Sequence, residues 1–457
     1  MIPWSITKEE MSLAQECMSA ALEYGASAVR VSFNKSVSDI FKTLNGQLDK
    51  VTHSFDRSLT FNLFSEGRFG SFSINRTDKE EVKAFIKRAV ETVGILAPDK
   101  FRVLPEPART ARNALTGLEA GLYDESYAEM TVDKRISRVL ESSFYKRFKE
   151  KGCDKYKIIS EESEYSDSIS DSYIIDSNGL SCRHIETSFE TGCEVTIEDS
   201  KGNKYTGFWW DASPFLEKVA YGDCGPKALE RAAAQIAPAK HKGGRFNMVV
   251  ENEVASRLVS PLLSALNAYS LQQNNSFLLD TLGKKIFPEG LNIEDRPLDK
   301  GCDGAKLFDS EGVAAENEMI IENGVVKRYF VNTYMSGKMG IAPTIEEAIR
   351  PCLMPYWTKG TAPERIGVKE LIESCRDGIM VTGFNGGNSN SSTGDFSYGI
   401  EGFVFKDGKI GRPVRGMVIT GNFIELWNNI LAAGNDSRKC MHKQIPSLAF
   451  ANVDFSA

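Results

Sequence analysis

Helical hydrophobic patterns recur at two places in the first half of the chain. The first helix is predicted after Thr7, which opens a Thr-x-x-Glu capping box, and ends near Gly25. A second helix is predicted to begin near Thr131, with Leu140 in its apolar stripe, and to end near Gly152. The two helices are the first sign of an internal duplication.

Strand patterns follow each of these helices in the same order. Tight Asn–Gly turns interrupt the strands at Asn45 and at Asn178, and each unit then closes with a further helix. We therefore predict a pair of related helix–antiparallel sheet–helix modules. A chance recurrence of common turn dipeptides is the alternative explanation.

The pattern changes in the second half to strands, turns and polar loops. Apolar residues stand at near-alternate positions from Phe396 to Phe405, a tight turn follows at Asp407–Gly408, and residues 414–420 form the next strand. A polar, glycine-rich segment from Gly386 to Gly394 precedes them. We therefore expect a polar loop held at the rim of an antiparallel sheet.

Together these patterns predict an α+β fold in which two related modules precede a β-rich C-terminal domain. The predicted domains are a first module in residues 1–100, a connector in 101–130, a second module in 131–240, and the C-terminal domain in 241–457.

Composition and charge narrow the function classes. The net charge is −7 and no long Lys/Arg cluster occurs, which does not support binding to nucleic acid. No segment approaches the ~20 apolar residues of a membrane span. The nine cysteines include no Cys-x-x-Cys pair, which is typical of a reducing compartment. We therefore predict a cytoplasmic protein that binds neither nucleic acid nor membrane.

Several motifs in the C-terminal half resemble those of the TldD/PmbA family, also called modulators of DNA gyrase. The segment 392–397 reads STGDFS, and 419–422 reads ITGN. Further upstream, 320–324 reads IIENG and 329–334 reads YFVNTY. The resemblance is clearest over roughly the last 215 residues.

Chains of the TldD branch carry His-Glu-x-x-x-His on a helix, together with a C-terminal cysteine, as a zinc peptidase site. In this chain the corresponding helix places Ser260, Pro261 and Ala265 at the motif positions, and none of them is a zinc ligand. The chain therefore resembles the PmbA branch, also called TldE. The resemblance implies no cofactor of its own, with zinc only in a TldD-like partner.

The resemblance implies the non-catalytic subunit of a metalloprotease complex that cleaves unfolded or extended peptides, with a TldD-like subunit and a peptide as its partners. The substrate-binding residues are predicted to be Thr393, Gly394, Asp395, Phe396 and Ser397. An aspartate in such a loop also commonly caps its own turn.

Two alternatives stay open, so whether the chain is itself an enzyme is unsettled at this point. In one, the chain is a hydrolase whose site uses Asp395, or Cys440 with His442. In the other, it is a stand-alone peptide-binding homodimer.

Overall fold

The computed structural model of the chain describes residues 2–145, 155–358 and 360–457. These fold into two compact units. The first contains Met1–Ala233, Leu298–Ala315 and Ser336–Ala342, and the second contains Ala234–Pro297, Glu316–Met335 and Pro343–Ala457. Among the described residues, no helix is both long and apolar enough to cross a membrane.

The first unit is built mainly from long strands. Its described helices are α1 (Lys8–Glu23), α2 (Lys79–Val93), α3 (Val132–Ser142) and α4 (Cys224–Ala234). Its described strands are β1 (Ala28–Leu44), β2 (Gln47–Ser65), β3 (Arg68–Ile74), β4 (Gly117–Leu122), β5 (Tyr156–Asp176), β6 (Ser181–Asp199) and β7 (Lys204–Ser213). Short 3₁₀ turns lie at Pro107–Arg109, Glu125–Glu129, Leu216–Lys218 and Tyr221–Asp223.

The duplication is confirmed by the order of these elements. The series α1-β1-β2-β3-α2 is repeated as α3-β5-β6-β7-α4, and the predicted turns at Asn45 and Asn178 join the two long strands of each copy. The copies share one sheet in the order β3-β2-β1-β5-β6, with β7 and β4 both pairing with β6. An antiparallel pairing of β1 with β5, from Arg30↔Asp176 to Leu44↔Glu162, joins the two copies.

Local signals explain the start of the first module. The Thr7 hydroxyl accepts a 3.2 Å hydrogen bond from the Glu10 N–H, and the Glu10 carboxylate accepts one of 2.9 Å from the Thr7 N–H. This reciprocal capping box starts α1 where the sequence predicts it. The helices α1 and α2 pack on β1 and β2 around Val31, Phe33 and Phe61, which are fully buried.

Helix α3 is shorter than its hydrophobic pattern indicates. It begins after Thr131 as predicted, but the backbone becomes extended at Ser143. Val139 is fully buried, whereas Leu140, expected in the same apolar stripe, is 41% exposed. Most of the predicted continuation to Gly152 falls on residues 146–154, outside the described residues.

The second unit is β-rich, as predicted. The described helices from residue 252 onward are α5 (Asn252–Ala265), α6 (Ala268–Gln272), α7 (Thr333–Met339), α8 (Val368–Cys375) and α9 (Phe423–Asn428). The described strands are β8 (Gly244–Val250), β9 (Ile293–Asp295), β10 (Glu318–Glu322), β11 (Val325–Val326), β12 (Pro351–Leu353), β13 (Tyr356–Trp357), β14 (Gly378–Ser389), β15 (Asp395–Lys406), β16 (Lys409–Asn422), β17 (Ile430–Ala433) and β18 (Leu448–Ser456).

Five of these strands close on themselves. The order β8-β14-β15-β16-β18 returns to β8, because β18 pairs with β8 from Leu448↔Val250 to Phe455↔Gly244. The strands β17 and β13 extend this sheet from β18, while β9 to β12 form a separate small sheet. Strands β8 and β14 are parallel, from Gly378↔Asn247 to Val381↔Val250. Their carboxyl ends therefore lie at the same end of the closed ring.

Candidate functional site: a peptide-sized cavity beside helix α5

The second unit contains a cavity of about 710 Å³. Its described lining comes from α5, from the end of β14 with the residues after it, and from a group of aromatic side chains. The lining residues are Val254, Ser256, Arg257, Ser260, Pro261, Ser264, Ala265, Ser270, Phe277, Phe384, Gly386, Ser389, Asn390, Ser391, Tyr398 and Phe423. A cavity of this size falls in the volume range of small-molecule binding sites.

The closed ring explains why these elements meet. Helix α5 follows β8 after only Glu251, and the polar segment that begins at Gly386 lies at the end of β14. Because β8 and β14 are parallel neighbours, both connections leave the ring at the same end. Sheet pairing between residues distant in sequence thus brings the helix and the polar segment together.

Helix α5 has an apolar face and a polar face. Leu258, Val259 and Leu262 are fully buried. Arg257, Ser260 and Ser264 recur at intervals of three and four residues, so they share the face that lines the cavity. The Trp427 Nε1 donates a 3.2 Å hydrogen bond to the Leu258 carbonyl and fixes the buried face. The polar face is thereby held towards the cavity.

Positive charge concentrates on that polar face. The Arg257 guanidinium lies 4.7 Å from the centre of the Tyr398 ring, in a cation–π contact. Lys443 Nζ donates a 2.8 Å hydrogen bond to Ser260 Oγ. Of the described residues that line the cavity, only Arg257 carries a charge at neutral pH. The cavity therefore favours an anionic group such as a carboxylate.

Aromatic rings form an apolar wall. The Phe277 and Phe423 rings stack with centroids 5.8 Å apart, and Phe384 meets Tyr398 edge to face at 5.8 Å. Phe396 lies behind this wall, with its ring 4.8 Å from that of Phe423. A ligand can therefore place an apolar side chain against the rings and an anionic group near Arg257.

The polar segment is more ordered than the loop that its composition predicts. Strand β14 continues to Ser389, with an irregularity between Asn385 and Asn388 in its pairing with β15. Gly387 has φ +92°, and a Cβ atom there would lie 2.1 Å from the Ser397 carbonyl oxygen. Glycine at position 387 thus allows β14 to approach β15 closely. The polar composition of the segment alone does not indicate this close approach.

The predicted substrate-binding residues lie next to the cavity lining. Asp395 accepts hydrogen bonds from Asn422 Nδ2 at 3.0 Å and from Thr393 Oγ1 at 2.7 Å. These bonds hold the pKa of the Asp395 carboxyl below its usual value. Gly394 faces the Phe277 ring, Phe396 is buried, and Ser397 is exposed. Direct contact of these five residues with a substrate stays a prediction. In the structure, Gly394 and Asp395 contact Phe277, Asn422 and Thr393, next to the cavity lining.

The sequence interpretation did not identify Arg257, Tyr398 or Lys443. A signal for Arg257 was present, since it lies one turn before Ser260 on the polar face of a strongly apolar helix. No local pattern links Lys443 to Ser260, because 183 residues separate them in the sequence.

The residues of the cavity do not fit a zinc ion. Ser260, Pro261 and Ala265 offer no imidazole or carboxylate, and Lys443 places an ammonium against Ser260. Within the described part of the chain, no group of three or more His, Cys, Asp or Glu side chains is arranged to hold a metal. Of the other predicted candidates, Cys440 is buried and His442 is exposed.

Comparison with protein families gives three matches along the chain. Residues 29–93 match domain 1 of the PmbA/TldA metallopeptidases, residues 125–236 match the central domain, and residues 243–457 match the C-terminal domain. The three family models follow each other in the order of the two modules and the β-rich part.

Individual relatives match over almost the whole chain. A solved structure from Bacteroides thetaiotaomicron, named a modulator of DNA gyrase, is 37% identical, covers 99% of this chain and 100% of its own, and has a TM-score of 0.92. Metalloprotease PmbA of Escherichia coli O157:H7 is 25% identical over 452 residues, which are 94% of this chain and 93% of that protein. TldE of Thermococcus kodakarensis shares the fold, with a TM-score of 0.81, 17% identity, and coverage of 97% of this chain and 100% of its own.

Proposed function

The chain belongs to the PmbA/TldD metallopeptidase family, and we propose that it is the peptide-binding, non-catalytic subunit of a proteolytic complex in the cytoplasm. One observation carries this proposal. A cavity of about 710 Å³ lies along α5 and is lined by Ser260, Pro261 and Ala265, which the family resemblance places at the zinc-motif positions of the TldD branch.

The cavity has the features needed to hold an extended peptide. Arg257 supplies a guanidinium for a carboxylate, and the Phe277–Phe423 pair supplies an apolar surface. Ser389, Asn390 and Ser391 add polar side chains to the lining next to this surface, since the Phe277 N–H donates a 2.9 Å hydrogen bond to the Ser391 carbonyl. An unfolded segment presents free backbone groups to such a wall, whereas a folded protein does not.

In this proposal the hydrolytic step takes place on a TldD-like partner, whose zinc ion activates water. This chain contributes by binding the peptide and restricting which peptides reach the partner. The names of several relatives, including metalloprotease PmbA, support a role connected with peptidases.

The alternative of an independent hydrolase has less support. The Asp395 carboxyl is occupied by Asn422 and Thr393, and its lowered pKa makes it a weak base. Cys440 is buried, which does not favour a nucleophile that has to reach a substrate. A stand-alone peptide-binding homodimer is compatible with the same cavity.

Peptide hydrolysis by separated and mixed subunits tests the proposal. An unstructured peptide is incubated with this chain, with a TldD-like chain from the same organism, and with both. We expect chelator-sensitive cleavage only when both are present. Cleavage by this chain alone, or partner activity that mixing leaves unchanged, would contradict the proposal. The Arg257→Gln variant shows whether the cavity is involved, and Arg415→Gln, which removes an arginine paired with Glu401 and absent from the cavity lining, is the matched control.

A further inference from the structure

One edge of strand β14 is open where the strand borders the cavity. Up to Val381, β14 pairs with β8 on one side and with β15 on the other. Beyond Val381 only the pairing with β15 continues, because the Glu251 N–H donates a 3.0 Å hydrogen bond to the Val381 carbonyl and α5 begins at the next residue. In the described part of the second unit, no strand pairs with the other edge of residues 383–389. Backbone N–H and C=O groups on that edge are therefore available to another strand.

This open edge lines the cavity. Phe384, Gly386 and Ser389 belong both to β14 and to the cavity lining, and residues 385–389 are exposed. Helix α5 contributes its polar face to the same lining. A strand that pairs with β14 lies about 4.8 Å from it, so it enters the space that α5 also lines. The cavity volume of about 710 Å³ holds a single chain segment and not a folded sheet.

Gly386 keeps this edge free of side chains. It has φ +64°, it lines the cavity, and no atom of the protein lies within 4 Å of the position that a Cβ atom would occupy there. A glycine inside a strand commonly marks a place where a ligand or another backbone approaches closely. Because β14 is irregular between Asn385 and Asn388, a regular ladder with an added strand is limited to the residues before Gly386. The open edge thus offers a short ladder at residues 383–385, followed by bare backbone.

We infer that an extended peptide binds this chain by adding a strand to the open edge of β14, pairing with residues 383–385 inside the cavity. The inference rests on the proposed function, since it assigns a binding mode to the same site. Backbone hydrogen bonds then supply affinity that does not depend on the peptide sequence. Such pairing is open to an unfolded segment, whose N–H and C=O groups are free, and closed to a segment that is already paired in a folded protein.

The two faces of the added strand have different surroundings. Successive side chains of a strand point to opposite faces of the sheet. On one face lies the aromatic wall, where the Phe384 and Tyr398 rings meet with centroids 5.8 Å apart. On the other face lie Asn385 and Glu401, which are outside the described cavity lining. Every second side chain of the peptide therefore contacts the cavity wall, which favours apolar side chains against the rings and a carboxylate near Arg257.

A backbone scan of the peptide tests the inference on the unaltered protein. The probe is an unstructured peptide of about eight residues, with apolar residues at every second position and a free C-terminal carboxylate. Each analogue carries one N-methyl group on a backbone nitrogen, which removes a donor and separates the two strands. In fluorescence anisotropy we expect sensitive and tolerant positions to alternate, with a loss of affinity of about tenfold or more at a sensitive position. Ester analogues, which replace the same N–H by oxygen without added bulk, are expected to weaken binding at the same positions.

The outcomes of the scan separate this inference from the proposed function. Equal affinity for every analogue, with the unmodified peptide still bound, would overturn strand addition and leave the peptide-binding role in place. Ester analogues that bind like the unmodified peptide would also overturn it, because the effect of the methyl group would then be steric. An unmodified peptide that does not bind would contradict the proposed function as well.

Amide hydrogen exchange locates the added strand on the protein. We expect saturating peptide to slow exchange about fivefold or more in a fragment that covers residues 383–389, because N–H groups on the open edge gain partners. Residues 68–74 of β3, an edge strand of the first unit, are the matched control and are expected to keep their exchange rate. Unchanged exchange at residues 383–389 would place the peptide elsewhere and overturn the inference. Slow exchange there that depends on protein concentration without peptide would assign the edge to a second copy of the chain and overturn it too.

Discussion

Lys443 Nζ donates a 2.8 Å hydrogen bond to Ser260 Oγ, and the family resemblance places Ser260 at the first histidine of the zinc motif of the TldD branch. The helix offers no zinc ligand at Ser260, and an ammonium group lies beside that residue. An ammonium at this distance opposes a divalent metal ion electrostatically. The residues around Ser260 therefore do not fit a zinc ion for two separate reasons.

The first prediction concerns zinc. We expect the purified chain to contain far less than one zinc per molecule by elemental analysis. Placing the motif back with Ser260→His, Pro261→Glu and Ala265→His is expected to give weak zinc binding, and adding Lys443→Gln to give stronger binding, because the repelling charge is removed. Lys443→Gln alone is the control. Equal zinc binding with and without Lys443 would show that the ammonium has no influence.

The second prediction concerns the charge in the cavity. We expect Arg257→Gln to weaken binding of an unstructured peptide with a free C-terminal carboxylate roughly tenfold, because a charge-assisted hydrogen bond is lost. The amidated form of the same peptide is expected to bind both proteins about equally. Fluorescence anisotropy measures both constants. Arg415→Gln should leave the affinity unchanged, and a loss of the same size in that control would show that the effect is not specific to the cavity.

The third prediction compares two adjacent glycines. Both have positive φ, Gly386 at +64° and Gly387 at +92°, but only at Gly387 would a Cβ atom meet backbone, at 2.1 Å. We expect Gly386→Ala to lower the free energy of unfolding by about 1 kcal/mol. Gly387→Ala is expected to cost more than about 3 kcal/mol and to weaken peptide binding. Urea denaturation measures both, and similar costs at the two positions would contradict the close approach of β14 to Ser397.

The fourth prediction concerns pH. Hydrogen bonds from Asn422 and Thr393 lower the pKa of Asp395 in the folded state. The carboxylate therefore stabilises the fold above its unfolded pKa of about 3.9, and this contribution is lost as the pH falls through the lower folded pKa. We expect Asp395→Asn to be less stable than the unaltered chain at neutral pH, with the difference shrinking below about pH 4. A difference independent of pH in urea denaturation would assign another role to Asp395.

Much of the fold could be predicted from local sequence signals. The capping box at Thr7 and the Asn–Gly turns at Asn45 and Asn178 act within a few residues, so their effects are visible in the sequence. Strand β4 lies inside the segment predicted as a connector, and it is held by parallel pairing with β6. Pairings of that kind depend on distant partners, and for the same reason the closure of β18 on β8 was not predicted.

In the candidate site, too, the features set by neighbouring residues could be predicted, whereas those set by distant residues could not. The missing zinc ligands at Ser260, Pro261 and Ala265 can be read from the sequence because they share one helix. The cavity depends on the parallel pairing of β8 with β14, its charged lining residue is Arg257, and Lys443 contacts Ser260 of the lining. None of the residues of the predicted STGDFS segment is among the described lining residues. Asp395 accepts a hydrogen bond within its own turn, as the general behaviour of aspartate in loops indicates.

The pairing of β1 with β5 has a consequence for synthesis on the ribosome. About 110 residues separate Leu44, the end of β1, from Tyr156, the start of β5. At typical elongation rates, on the order of ten seconds pass between the synthesis of Leu44 and the synthesis of Tyr156. During that interval β5 is not yet available to pair with β1, so the backbone groups on that edge of β1 are unpaired. Another nascent chain can therefore pair with this edge before the second module emerges.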